Sequence, residues 1–99
     1  MNKENIFKKL ELLGFIVTYE MDNSNWYLEK NDDIVNLVAP HEGNNNKWML
    51  RADFKETFDK WGNALFEGFF EDINELDIIL DELKSFLSDR AIIIRKELG

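Results

Sequence analysis

The spacing of the apolar residues changes along this chain, and each change predicts a new element of secondary structure. In residues 3–13, Ile6, Leu10 and Leu13 lie three or four positions apart, which predicts a helix that ends at Gly14. After Gly14 the apolar and polar residues alternate, which is typical of β-strands separated by Asn-rich and Asp-rich turns. The predicted strands are residues 15–21, 26–30, 34–39 and 48–54.

Residues 54–66 fit two structures. Their large apolar residues lie at helical spacing, whereas the sequence DKWGN, residues 59–63, is typical of a hairpin loop with Gly62 in a left-handed conformation. Gly62 and Gly68 would also weaken a helix interior. The hairpin is therefore the favoured interpretation, and it makes residues 64–70 a fifth strand.

A second helix is predicted near the end of the chain. Asp72 followed by Glu75 has the spacing of a capping box, so the helix is expected to begin at Asp72 and to run to about Leu87. A further short turn is expected through Leu98. The apolar residues of the helix fall within about 140° of arc, as on a helix with one buried face. They are Ile73, Leu76, Ile79, Leu80, Leu83, Phe86 and Leu87.

These elements predict a single α+β domain over residues 1–99. The expected architecture is an antiparallel meander sheet of about four to five strands, with an N-terminal and a C-terminal helix packed on one face. With 44% apolar residues, the chain has enough apolar side chains for one hydrophobic core. The side chains expected to be buried together are Phe7, Leu10, Val17, Leu76, Leu80 and Leu83.

The negative charge of the chain is concentrated in one segment. The net charge is −8, and residues 67–89 contain eight acidic residues and a single basic one, Lys84. Such a field repels nucleic acid and anionic membranes and favours basic partners. The expected partner is therefore a basic protein surface, such as that of a nucleic-acid-binding enzyme, with no direct contact to nucleic acid or membrane.

The exposed side of the second helix is the candidate binding site. Helical geometry gathers Glu71, Glu75 and Glu82 within about 40° of arc. Asp77 and Asp81 form a second row, and Ile78 lies between the two rows, away from the apolar side. The simplest interpretation is that this side of the helix is solvated surface. It also resembles a binding site in which an apolar anchor is surrounded by carboxylates. We take these six residues as the candidate partner-binding site.

Catalytic and metal-binding patterns are weak. The single histidine, His41, lies in the polar loop HEGNNN with no serine near it, and the chain has no cysteine, so no nucleophile–base pair is indicated. Residues 22–29 and 31–36 bring oxygen side chains together without the glycine and spacing of a calcium loop. No catalytic residue, metal or cofactor is predicted, and His41 is assigned no role.

A non-enzymatic binding protein is the leading functional hypothesis. In size, acidity and lack of catalytic motifs the chain resembles small inhibitors of phages and mobile elements, including anti-restriction and anti-CRISPR proteins that mimic DNA, and immunity proteins that neutralise basic toxins. This resemblance is one of composition and covers no motif. The alternative is a regulatory or housekeeping domain that binds a peptide or a small ligand through an aromatic sheet face. With no signal peptide or apolar span evident, a cytoplasmic location is expected.

Overall fold

Two helices and a five-stranded antiparallel sheet make up the part of the chain that the computed structural model describes, residues 1–58 and 64–89. Each strand pairs with the next along the chain, so the predicted α+β meander is confirmed. A short 3₁₀ helix, Glu42–Asn44, precedes the fourth strand. The elements are α1 (Lys3–Leu12), β1 (Ile16–Met21), β2 (Asn25–Lys30), β3 (Asp33–Val38), β4 (Trp48–Phe54), β5 (Phe66–Phe70) and α2 (Ile73–Ser88).

Local side-chain chemistry fixes the ends of the helices. The predicted stop after α1 is confirmed, because Gly14 has a φ of +99°, a conformation that glycine adopts with little strain. Asp72 caps α2 by accepting a hydrogen bond from the backbone N–H of Glu75 at 2.9 Å. The Glu75 carboxylate accepts from the N–H of Glu71 at 3.0 Å, one residue earlier than a capping box requires.

Both helices bury their apolar sides against the same face of the sheet. Ile6 and Leu10 of α1 share one core with four residues of α2 and with alternate residues of β2 to β5. At Gly68 in β5, an added Cβ would lie 3.1 Å from the side chain of Ile79, so the glycine permits the close approach of α2. The buried residues of α2 are Leu76, Ile79, Leu80 and Leu83.

The prediction that Val17 is buried is wrong. Val17 is 40% exposed on the edge strand β1, where all six residues are exposed. The register jumps from the pair Val17–Leu28 to the pair Tyr19–Tyr27, so Thr18 is the extra residue of a β-bulge. The bulge interrupts the alternation, so Val17 lies on the helix-covered face and Tyr19 on the opposite face. Of the other five expected core residues, Phe7 is half-buried and four are buried.

The strands on either side of residues 54–66 pair as the hairpin interpretation predicts, and residues 59–63 of the connection lie outside the described residues. β4 and β5 pair antiparallel from Trp48–Phe70 to Ala52–Phe66, and residues 55–57, directly after β4, form a turn. The fifth strand begins at Phe66, two residues later than expected. The conformation of Gly62 and the turn predicted through Leu98 lie outside the described residues.

An ion pair joins the segment after β4 to the sheet. Lys55 Nζ lies 2.7 Å from a carboxylate oxygen of Glu29, and the Lys55 backbone N–H donates to Asp32 O at 2.8 Å. The hydrogen bond from Lys55 is the main reason why the pKa of Glu29 is lowered from its ordinary value of 4.5. Thr18 lowers this pKa further, and partial burial opposes the shift.

Leu80→Ala is expected to lower the free energy of unfolding by about 2–5 kcal/mol, because it opens a cavity in the shared core. Ile78→Ala is the matched control, since Ile78 lies on the same helix with 60% of its surface exposed. Its effect should stay within about 0.5 kcal/mol. Urea unfolding followed by circular dichroism measures both. An equal loss in the two variants would contradict the burial of α2.

Glu29→Gln is expected to destabilise the protein at neutral pH and to have a shrinking effect in acid. The folded-state pKa of Glu29 is below its unfolded value, so the stabilisation is present above pH 4.5 and is lost as pH falls through the folded-state pKa. Urea unfolding of wild type and variant across pH 3–7 measures the difference. An effect of Glu29→Gln that is the same at pH 3 and at pH 7 would contradict a stabilising role of the ionised carboxylate.

Candidate functional site

All six residues of the candidate binding site are exposed on α2 or just before it. The centre of this acidic α2 surface is Ile78, which is 60% exposed. Glu75, Asp81 and Glu82 stand three or four positions from Ile78, so helical geometry places them around it. The structure thus brings together an apolar side chain and three carboxylates on the solvent side of α2. Glu71 and Asp77 lie further out on the same exposed surface.

Lysines from other parts of the chain neutralise the margin of the acidic α2 surface. Lys9 of α1 lies 2.7 Å from Asp77, and Lys47, before β4, lies 3.5 Å from Glu71. Asp81 pairs with Lys84 one turn later at 3.3 Å. These groups are largely exposed, and such surface pairs contribute little stability, typically about 0–1 kcal/mol each. Asp77 and Glu71 at the margin are thus paired, whereas of the three carboxylates around Ile78 only Asp81 has a lysine partner among the described residues.

The charge around Ile78 is therefore less balanced than that at the margin. Glu82 forms no ion pair with any described residue. Glu75 is held by its hydrogen bond from the backbone of Glu71, which is a neutral partner. The sequence predicts the rows of acids from helical periodicity. It does not reveal Lys9 and Lys47, which are distant in the chain.

A second candidate site is a cleft of about 410 Å³ on the sheet face opposite the helices. We call it the sheet cleft. Residues from β1 to β4 line it because alternate positions of these strands point away from the core. Its apolar wall consists of Tyr19, Met21, Tyr27, Val38 and Met49. The rings of Tyr19 and Tyr27 lie side by side with centroids 6.0 Å apart.

The polar wall of the sheet cleft is formed by two asparagines, an arginine and a histidine. Asn36 is buried, with 2% of its surface exposed. Its Nδ2 donates hydrogen bonds to Trp26 O at 3.1 Å and to Asn25 Oδ1. These two bonds fix the amide orientation. Arg51 follows on β4, where the register places it directly beside Asn36. His41 completes the lining from the β3–β4 connection.

His41 has a structural role that its place in a polar loop did not indicate. Its Nδ1 accepts a hydrogen bond from the backbone N–H of Gly43 at 3.0 Å, which caps the 3₁₀ helix. The His41 N–H in turn donates to Asn44 Oδ1 at 2.8 Å. Because Nδ1 is an acceptor, the neutral imidazole carries its proton on Nε2. An added Cβ at Gly43 would lie 2.7 Å from the imidazole Cε1, so the glycine makes room for this ring.

The described residues, 1–58 and 64–89, contain neither a metal-binding cluster nor a membrane-crossing helix. Within these ranges no three His, Asp or Glu side chains are grouped as ligands for a metal ion. Neither α1 nor α2 has the length and apolar character of a membrane-crossing helix. Comparison with protein-family models, curated proteins and solved structures finds no match to this chain.

His41→Ala is expected to lower the free energy of unfolding by about 0.5–2 kcal/mol, because it removes the acceptor that caps the 3₁₀ helix. His41→Asn should retain most of the stability, since asparagine is also a good capping residue. Urea unfolding of the two variants provides the measurement. If alanine and asparagine have the same effect, the hydrogen bond to Gly43 contributes nothing.

Proposed function

We propose that this protein is a non-enzymatic binding protein whose acidic α2 surface engages a basic surface of another protein. The observation that carries the proposal is the exposure of Ile78 at the centre of Glu75, Asp81 and Glu82. If the acidic α2 surface occupied a basic groove of the partner, it would inhibit the partner. This is the mode of action expected from the compositional resemblance to DNA-mimic inhibitors and immunity proteins.

The charge and the apolar side chain would act at different stages of binding. The field of the acidic residues acts over about 10 Å at moderate ionic strength and accelerates encounter with a basic partner. Ile78 acts only in contact, where burial of its side chain would slow dissociation. Interfaces commonly combine a central apolar anchor with a polar rim. The arrangement on α2 has this form on a small scale.

The contacts within the protein decide which residues suit a test. Glu75 accepts the hydrogen bond from the Glu71 backbone at the start of α2, so replacing it would disturb the helix as well as the charge. Asp81 and Glu82 are more suitable, because both are exposed and neither contributes to the N-terminal cap. Ile78 is suitable for the same reasons.

Two variants of the acidic α2 surface are expected to lose a basic partner. Asp81→Lys combined with Glu82→Lys replaces attraction by repulsion, and Ile78→Asp removes the apolar anchor while keeping the negative charge. Each should lower retention by at least about tenfold, since a loss of 1.4 kcal/mol has this effect. The measurement is capture from a lysate of the source organism on the immobilised full chain, followed by mass spectrometry of the retained proteins.

The controls separate a specific surface from general acidity. Glu11→Lys combined with Glu20→Lys makes the same change of net charge on α1 and β1, and should leave capture intact. Poly-L-lysine should bind wild type and Ile78→Asp alike, because its binding depends on negative charge alone and the variant keeps every acidic residue. The captured partner should also be released as salt rises. Equal capture by wild type and by both α2 variants would show that this surface is only solvated.

A further inference from the structure

The sheet cleft differs in charge from the rest of the molecule. The chain contains twenty acidic and twelve basic residues, yet no acidic side chain lines the cleft among residues 1–58 and 64–89. The lining includes Arg51, whose guanidinium carries a positive charge. A positive group within a strongly negative protein forms a local site where an anion is attracted rather than repelled.

The polar groups of the cleft favour an acceptor-rich ligand. A guanidinium presents its N–H donors in a planar fork that matches a carboxylate, so Arg51 is the lining residue that suits such a ligand. Asn25 uses Oδ1 to accept from Asn36, which leaves its Nδ2 group as a donor. His41 carries its neutral-state proton on Nε2 because Nδ1 accepts from Gly43. Three lining residues thus offer donors to an anion.

The apolar wall favours a flat hydrophobic body. Tyr19 and Tyr27 present two neighbouring rings, and the thioethers of Met21 and Met49 are soft groups that pack well against aromatic rings. Phe58 contacts Tyr27 edge-on at 5.8 Å and supports that ring. The volume of about 410 Å³ lies within the range of roughly 300–1,000 Å³ that is usual for small-molecule sites.

We infer that the sheet cleft binds a small organic anion, a carboxylate carried on a flat apolar or aromatic body, with Arg51 holding the carboxylate. This inference gives a place and a ligand class to the hypothesis that the aromatic sheet face binds a ligand. It goes beyond the proposed role of α2 and does not depend on it. The cleft and α2 lie on opposite faces of the sheet, so each can fail without the other.

One acidic residue stands close enough to compete with the ligand. Glu67 of β5 is the cross-strand neighbour of Arg51 and is exposed on the same face. Side chains directly opposite in an antiparallel pair are in reach of each other. Glu67 therefore weakens the attraction of Arg51 for an anion, and its neutralisation should strengthen binding.

The three methionines provide a direct probe of the cleft. With ¹³C-labelled methyl groups the full chain gives three signals, of which Met21 and Met49 report on the cleft and Met1 serves as an internal control. Indole-3-acetate is titrated as the anionic probe and indole-3-acetamide as its neutral counterpart. Indole-3-acetate should shift the Met21 and Met49 signals, and the titration should give a Kd below about 1 mM. The acetamide should bind at least about tenfold more weakly, as the loss of a charge-assisted hydrogen bond implies.

Variants test whether Arg51 causes the preference for indole-3-acetate over indole-3-acetamide. Arg51→Gln should bind indole-3-acetate and indole-3-acetamide equally. Lys8→Gln removes one positive charge from the exposed side of α1 and should still prefer indole-3-acetate. Glu67→Gln should tighten acetate binding and leave acetamide binding unchanged. Ile78→Asp should give the same titration as the wild type, because it lies on the other side of the sheet.

Four results would overturn the inference. The first is no shift of the Met21 and Met49 signals, and the second is equal binding of acetate and acetamide by the wild type. The third is a loss of preference in Lys8→Gln as large as in Arg51→Gln. The fourth is unchanged acetate affinity in Glu67→Gln, which decides the question even where Arg51→Gln does not fold. None of these results bears on the α2 surface.

Discussion

The packing of α1 and α2 against one face of the sheet is the interaction on which the rest of the structure depends. Apolar burial is the dominant favourable contribution to folding, and here it is concentrated on the side where Ile6, Leu10 and Leu80 meet the alternate residues of the strands. Gly68 allows the closest approach of α2 at Ile79. Because the described helices both occupy this side, the opposite face of the sheet carries the cleft.

Periodicity was sufficient to predict most of the fold from the sequence. The spacing of Ile6 and Leu10 predicts α1, and alternation predicts the strands, because burial on one side imposes these periods. The bulge at Thr18 could not be predicted in this way. It adds one residue to β1 with no glycine to mark it, and it separates Val17 from Tyr19 by reversing the face of each later residue.

The two candidate sites also differ in how far the sequence predicts them. The exposure of Ile78 among acids follows from helical periodicity within one element, so the sequence alone indicates it. The neutralising contacts of Lys9 and Lys47 join residues far apart in the chain, and only the three-dimensional arrangement reveals them. The sheet cleft likewise combines positions from four strands and a loop. Of the described aromatic residues, Tyr19 and Tyr27 line it, and the bulge that turns Tyr19 to this face has no sequence signal.

The meander arrangement also bears on how the chain folds. Consecutive strands pair, and the connections 22–24 and 31–32 are short, so the first three strands can form hairpins within microseconds. The contact of Lys9 with Asp77 instead joins distant parts of the chain. On the ribosome, α1 is made before the five described strands, and α2 emerges after them. The apolar side of α1 is therefore buried completely only after α2 has emerged, and during that interval it is an exposed apolar surface that chaperones can bind.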